Sequence, residues 1–150
     1  MPQSLSNTLV HIIFSTKNRQ KLIDEKIEDK LYSYLGTVCN DKKCQSIIVN
    51  GHLDHVHIFC HLHRTVAPSK LLEVLKSYSS RWIKTQGAEY SNFYWQDGYA
   101  IYSVSQSNAG SVIKYIKDQK QKHQSKSFQE EYRDFLDAHN VDYDERFMWD

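Results

Sequence analysis

At 150 residues and 17.7 kDa, the chain can fold round a core of its own without disulfide or metal support, since a domain of this size buries roughly two-thirds of the surface its unfolded chain exposes. With 40% hydrophobic and 25% charged residues, five glycines and two prolines, collagen-like, low-complexity and largely disordered readings are excluded. The formal charge of +1 hides an asymmetry: residues 1–129 carry 17 Lys/Arg against 10 Asp/Glu, and residues 130–150 carry 2 against 8, so a basic body suited to a polyanion is offset by an acidic tail.

Residues 8–15 (TLVHIIFS) are β-branched and apolar and read as a buried strand, followed by the basic turn Lys17-Asn18-Arg19. Asp24 can cap a helix in which Ile27, Leu31, Tyr34, Leu35 and Val38 recur at helical spacing, ending near Asn40-Asp41. A strand over 44–50 passes through a short connection at 51–54 into a strand over 55–63. There Val56, Ile58, Cys60 and Leu62 alternate with His55, His57, Phe59, His61 and His63. Pro68 suits the first turn of a helix over 69–85, with Gly87 beyond its end. A strand over 99–105, a helix over 111–124 and a helix over 128–139 complete the pattern, the last lying in the acidic tail that begins at about residue 128.

This order is β-α-β-β-α-β with appended helices. It predicts an α+β, ferredoxin-like split β-α-β sandwich, an antiparallel sheet with helices on one face, occupying residues 1–150 as a single domain. Cys39, Cys44 and Cys60 are an odd set without CxxC spacing and read as reduced thiols. The N-terminus lacks signal-peptide features, and no apolar run reaches the 18 or more residues of a membrane span. The expectation is a cytoplasmic chain that engages no membrane.

His55 and His57, two apart on a strand, project from one face and can share a cation; two polar residues on an exposed sheet face would look the same. Tyr115 and Gln119 stand four apart on one helix face, with Val112, Ile116 and His123. The Gln119 carbonyl is a candidate ligand beside the imidazoles, and Tyr115 is either a nucleophile or a packing residue. Lys114, Lys117, Lys120 and Lys122, with Lys126 beyond, suit phosphate contacts or a plain solvated face; Asp118 is the one acid close by in sequence.

The stretch Gly51-His-Leu-Asp-His-Val-His-Ile-Phe-Cys-His-Leu, followed about sixty residues later by Tyr115-Ile-Lys-Asp-Gln119, resembles the single-tyrosine HUH transposases of the insertion-sequence 200/605 family. The opening Asn7-Thr-Leu-Val-His-Ile-Ile-Phe-Ser-Thr-Lys-Asn-Arg and the closing Tyr143-Asp-Glu-Arg-Phe-Met-Trp are similar to it too, so the likeness spans essentially the whole chain. The resemblance implies a homodimeric endonuclease and strand transferase of single-stranded DNA from a bacterial or archaeal cell. It implies that hairpin ends are bound and a 5′-phosphotyrosine is formed. Tyr115 would be the nucleophile, with His55, His57 and Gln119 as ligands of a divalent ion, magnesium or manganese, and with no organic cofactor. The same family contains domesticated, repeat-associated nucleases. Two other classes share the residues: a non-catalytic single-stranded nucleic-acid binder and a phosphoesterase that acts through water.

Overall fold

The structure, a computed structural model, describes residues 2–123, 126–146, 148 and 149. Strands β1 (Leu9–Ser15), β2 (Ser46–His52), β3 (His55–His61) and β4 (Ala100–Val104) form one sheet in the order β2-β3-β1-β4, with every neighbouring pair antiparallel. Helices α1 (Glu28–Asp41) and α2 (Pro68–Lys84) are the crossovers, which gives the split β-α-β sandwich that the alternation of apolar periods predicts.

The crossover helices cover one face. Val10, Ile12 and Phe14 of β1 and Val56, Ile58 and Cys60 of β3 meet Leu31, Leu35, Val38 and Cys39 of α1 and Leu71, Leu72, Leu75 and Ile83 of α2. Each large aliphatic side chain buried there contributes about 1.5–3 kcal/mol. Asp24 Oδ1 accepts the backbone N–H groups of Lys26 and Ile27, both at 3.1 Å. The cap therefore organises a turn ahead of the regular helix, which starts at Glu28.

The appended helices α3 (Ala109–Lys117), α4 (Gln119–Lys122) and α5 (Phe128–Ala138) lie on the other face. Ile13, Ala100 and Tyr102 pack on Phe128, Tyr132 and Leu136 of α5, and Leu9 and Phe59 pack on Ile116 of α3. The histidine face is thus covered rather than exposed, because α5 and α3 carry apolar stripes that must be buried. The expected helix over 111–124 is interrupted at Asp118 (φ −92°, ψ 18°), where the chain turns from α3 into α4. Its expected end at Gln124 lies outside the described residues, as do Phe147 of the closing stretch and Asp150 of the tail. Among the described residues, no helix is long and apolar enough to cross a membrane.

The hairpin between β2 and β3 is pinned at its tip. Asp54 O accepts from Thr16 N at 2.9 Å, and Leu53 O accepts from Ile23 N at 2.9 Å. A Cβ on Gly51 would stand 2.2 Å from His55 O, so only glycine permits the close approach that brings β2 against the start of β3.

Candidate functional site

His55 and His57 point from β3 toward the appended helices, and both rings are fully buried. Their outward-facing nitrogens are fixed by different partners. His55 Nδ1 lies 2.7 Å from Asp54 Oδ1, and a carboxylate accepts, so that nitrogen carries a hydrogen and Nε2 faces inward. His57 Nδ1 lies 2.8 Å from Nε2 of His11, a buried residue of β1.

The break at Asp118 sets Gln119 at the start of α4 with its side chain fully buried. Asn50 of β2 donates its amide to Ile116 O at 2.9 Å and Lys117 O at 3.3 Å, satisfying carbonyls that a helix end leaves open. Lys120 Nζ reaches Glu28 Oε1 of α1 at 2.5 Å. These ties hold the α3–α4 corner beside the histidines. Gln119 Oε1 stands 3.0 Å from His55 Nε2, and the ring of Tyr115 stands 5.9 Å from that of His57.

A residue that the sequence reading missed completes the cluster. Glu131 of α5 is 2% exposed. Its Oε1 lies 3.1 Å from His57 Nε2, 3.1 Å from His123 Nε2 and 3.4 Å from His55 Nε2. Its Oε2 accepts from Gln119 Nε2 at 3.2 Å and from the Tyr115 hydroxyl. The signal was present in the sequence: Phe128, Tyr132, Phe135 and Leu136 form a helical apolar stripe, and Glu131 falls within it. A charge at such a position is buried and must be paired.

Burial alone would raise the Glu131 carboxyl, but hydrogen bonds to His123 and His57 and the nearby imidazoles hold it well below the usual carboxylate range. Burial also opposes a charge on His123, yet the bond to Glu131 carries its pKa above the ordinary histidine value. His57 is lowered, chiefly by burial. The Tyr115 phenol is pushed well up by burial and then by the Glu131 charge, so it keeps its hydrogen.

The donor set fits a cation. Nitrogen and oxygen atoms of His55, His57 and Glu131 lie within 4.8 Å of one another and form a buried group able to hold a divalent metal. With Glu131 ionised, the Gln119 amide must turn its NH2 toward the carboxylate, which leaves its carbonyl oxygen facing His55 Nε2. Reversing the amide would set its oxygen against the carboxylate instead. The Gln119 carbonyl oxygen and His55 Nε2 therefore face each other at 3.0 Å, a spacing that a shared proton or a shared cation satisfies.

His55, His57, Gln119 and Tyr115 therefore come together within one chain, and several of the lysines are ion-paired. Lys114 pairs with Asp118 at 3.0 Å, Lys120 with Glu28, and Lys126 with Asp134. Glu28 of α1, 92 residues away from Lys120, and Asp134 of α5 thus join Asp118. Lys117 is exposed, and the Lys122 ammonium stands 5.1 Å from the centre of the Tyr115 ring. A cleft of about 240 Å³, lined by Tyr115, Lys122, Lys126, Glu131, Phe135 and His139, opens on the tyrosine.

A family model over most of the chain puts this covered antiparallel sheet in one class of DNA-processing enzymes. The family model described as "Transposase IS200 like" matches residues 4–119. The chain belongs to the IS200-like transposase family. Its fold is shared by the crystal structure of a candidate transposase from Deinococcus radiodurans R1, with TM-score 0.62 and 18% identity over 79% of this chain and 98% of that one. It is also shared by a REP-associated tyrosine transposase solved with a REP hairpin, with TM-score 0.59 and 12% identity over 82% of this chain and 72% of that one. No curated protein matches the chain. Glu131 lies beyond the segment that the family model matches.

Proposed function

We propose that this transposase is a metal-dependent single-stranded DNA endonuclease and strand transferase that binds hairpin ends and works through a 5′-phosphotyrosine on Tyr115. The observation that carries this reading is the shared carboxylate: Glu131 faces His57 with one oxygen and the Tyr115 hydroxyl with the other. His55, His57, Gln119 and Glu131 would hold the cation, and magnesium or manganese suits the two oxygen donors of that set. When bound, such a cation draws charge from the scissile phosphate.

The chain's own groups account for the rest. Glu131 Oε2 orients the phenol by accepting its hydrogen, and the Tyr115 oxygen attacks phosphorus from the cleft. The bond from tyrosine oxygen to the 5′-phosphate forms as the bond to the 3′-oxygen breaks. The proton given up by the phenol ends on the released 3′-oxygen, which leaves as a hydroxyl, so the step balances with no further acid or base. Because the phosphodiester bond energy is kept, a 3′-hydroxyl can reverse the step and join strands without a nucleotide. Hairpin binding is supported by the REP hairpin in a protein of the same fold. The lysines of α3 and α4 supply backbone contacts. A homodimer would pair exposed sheet edges; mixing inactive Tyr115→Phe with inactive His57→Ala and measuring cleavage tells whether sites are shared between chains.

Incubation with single-stranded hairpin DNA and manganese should give a protein–DNA adduct on a denaturing gel. Tyr115→Phe should abolish it while hairpin binding stays within a few-fold. Cleavage that persists in the phenylalanine variant would mean that water is the nucleophile.

A further inference from the structure

The two histidines of the site are oriented by partners of different chemistry, and the second has a consequence for metal uptake. His55 leans on Asp54, which accepts, so the contact holds a hydrogen on Nδ1 and turns Nε2 toward the site. His57 leans on His11, which lies diagonally across the β1–β3 pair: His57 stands opposite Ile13, and His11 opposite Phe59. On one sheet face that diagonal is within reach of two imidazoles, and the nitrogens meet at 2.8 Å. His11 is itself fixed, with its ring 5.2 Å from that of Phe135 and 6.4 Å from that of Tyr102.

We propose that His11 is the positioning residue of the metal site, an imidazole that serves His57 as donor or acceptor according to whether a cation is bound. In the described state His57 Nε2 faces Glu131 Oε1 at 3.1 Å. The arrangement that satisfies both His57 nitrogens has the His57 hydrogen on Nε2, donated to Glu131, and Nδ1 accepting from His11 Nε2–H. A divalent cation needs the Nε2 lone pair, so the His57 hydrogen must move to Nδ1, and His11 must then offer a bare Nε2 to receive it. Both rings stay neutral and each changes tautomer. A carboxylate at position 11 could serve only the second state, and an apolar residue neither. Metal-ligating histidines generally depend on such an outer partner for ring orientation and basicity.

This inference rests on the metal reading above, and the experiment separates the two. Zinc, a diamagnetic divalent ion, is titrated into wild type, His11→Gln and His11→Leu, with affinity read by calorimetry and chelator-state stability by denaturant unfolding. Glutamine both donates and accepts, so His11→Gln should bind zinc within about threefold of wild type. His11→Leu should lose roughly 10–100-fold, the usual worth of an outer partner. In wild type, 15N–1H NMR of the imidazoles should show the His57 hydrogen on Nε2 before zinc and on Nδ1 after. That measurement stands even if the leucine variant fails to fold. Equal zinc affinity in all three proteins, or a His57 tautomer indifferent to zinc, overturns the proposal alone. No zinc binding by wild type defeats the metal reading together with it.

Discussion

The two faces of the sheet are made by the same strands and obey different rules. On the α1–α2 face, Ile12, Val56 and Ile58 need only volume and shape, and they are stabilised by the area they remove from water. On the α3–α5 face, the alternate residues His11, Ser15, His55 and His57 are just as buried, yet each must find a partner of the right polarity. Ser15 reaches Gln96, His11 reaches His57, and His55 reaches Asp54. A slip of one residue in β1 or β3 would exchange the faces. Stability and chemistry are thus locked into one register.

The contrast breaks most severely on the apolar side. Leu35→Ala removes a fully buried side chain between α1 and the sheet and should cost about 2–5 kcal/mol in denaturant unfolding. Metal affinity of the folded fraction should not change. A matching loss of affinity would mean that the two faces are not independent.

On the other side, Glu131→Gln keeps the shape and removes the charge. Metal affinity should fall by more than the roughly 10–100-fold that an outer partner is worth, because a proposed ligand is lost. The Tyr115 phenol, raised in part by that charge, should titrate at lower pH in the variant, read by ultraviolet absorbance. An unmoved phenol would show that burial alone raises it.

How far this contrast was legible in the sequence follows from its physics. Strict alternation over 55–63 and the periodic leucines of α1 and α2 announce the sheet and one layer, because apolar burial leaves a period. The polar layer leaves none. His11 is a single polar residue inside an apolar strand, and Glu131 is a single acid inside an apolar stripe, so each marks a buried partner without naming it. The HxH and YxxxQ spacings bring His55, His57, Tyr115 and Gln119 forward, but the turn at Asp118 is invisible in a continuous lysine-rich run. The pairing of Lys120 with Glu28 joins residues 92 apart.

A smaller effect concerns acid. Burial lowers the pKa of His11 and of His57, so between their folded values and about 6.5 the unfolded chain binds more protons. Stability then falls as pH drops through that window, by at most about 1.4 kcal/mol per pH unit for each group. His123 acts the other way: its raised pKa adds stability below about 6.5 that is lost as pH rises through the folded value. In chelator, unfolding free energy should decline from pH 7 to pH 5.5 in wild type and decline less in His11→Gln. Identical slopes would place the acid sensitivity elsewhere.

The smallest effect sharpens the contrast within the polar face itself. Lys114 and Lys120 already have carboxylates, Asp118 and Glu28, whereas Lys117 is exposed and, among the described residues, pairs with no carboxylate. A lysine that must leave an acid to reach a phosphate exchanges one ion pair for another, so fewer condensed cations are released per contact. The logarithm of single-stranded DNA affinity should fall with the logarithm of salt by roughly 0.7 per phosphate contact. Lys117→Ala should therefore flatten that slope by about one contact's worth, and Lys114→Ala by less. Because exposed ion pairs contribute only about 0–1 kcal/mol, neither change should move the unfolding midpoint appreciably. If Lys114→Ala flattens the slope as much as Lys117→Ala, Asp118 does not compete with phosphate and the whole lysine row reads the backbone alike.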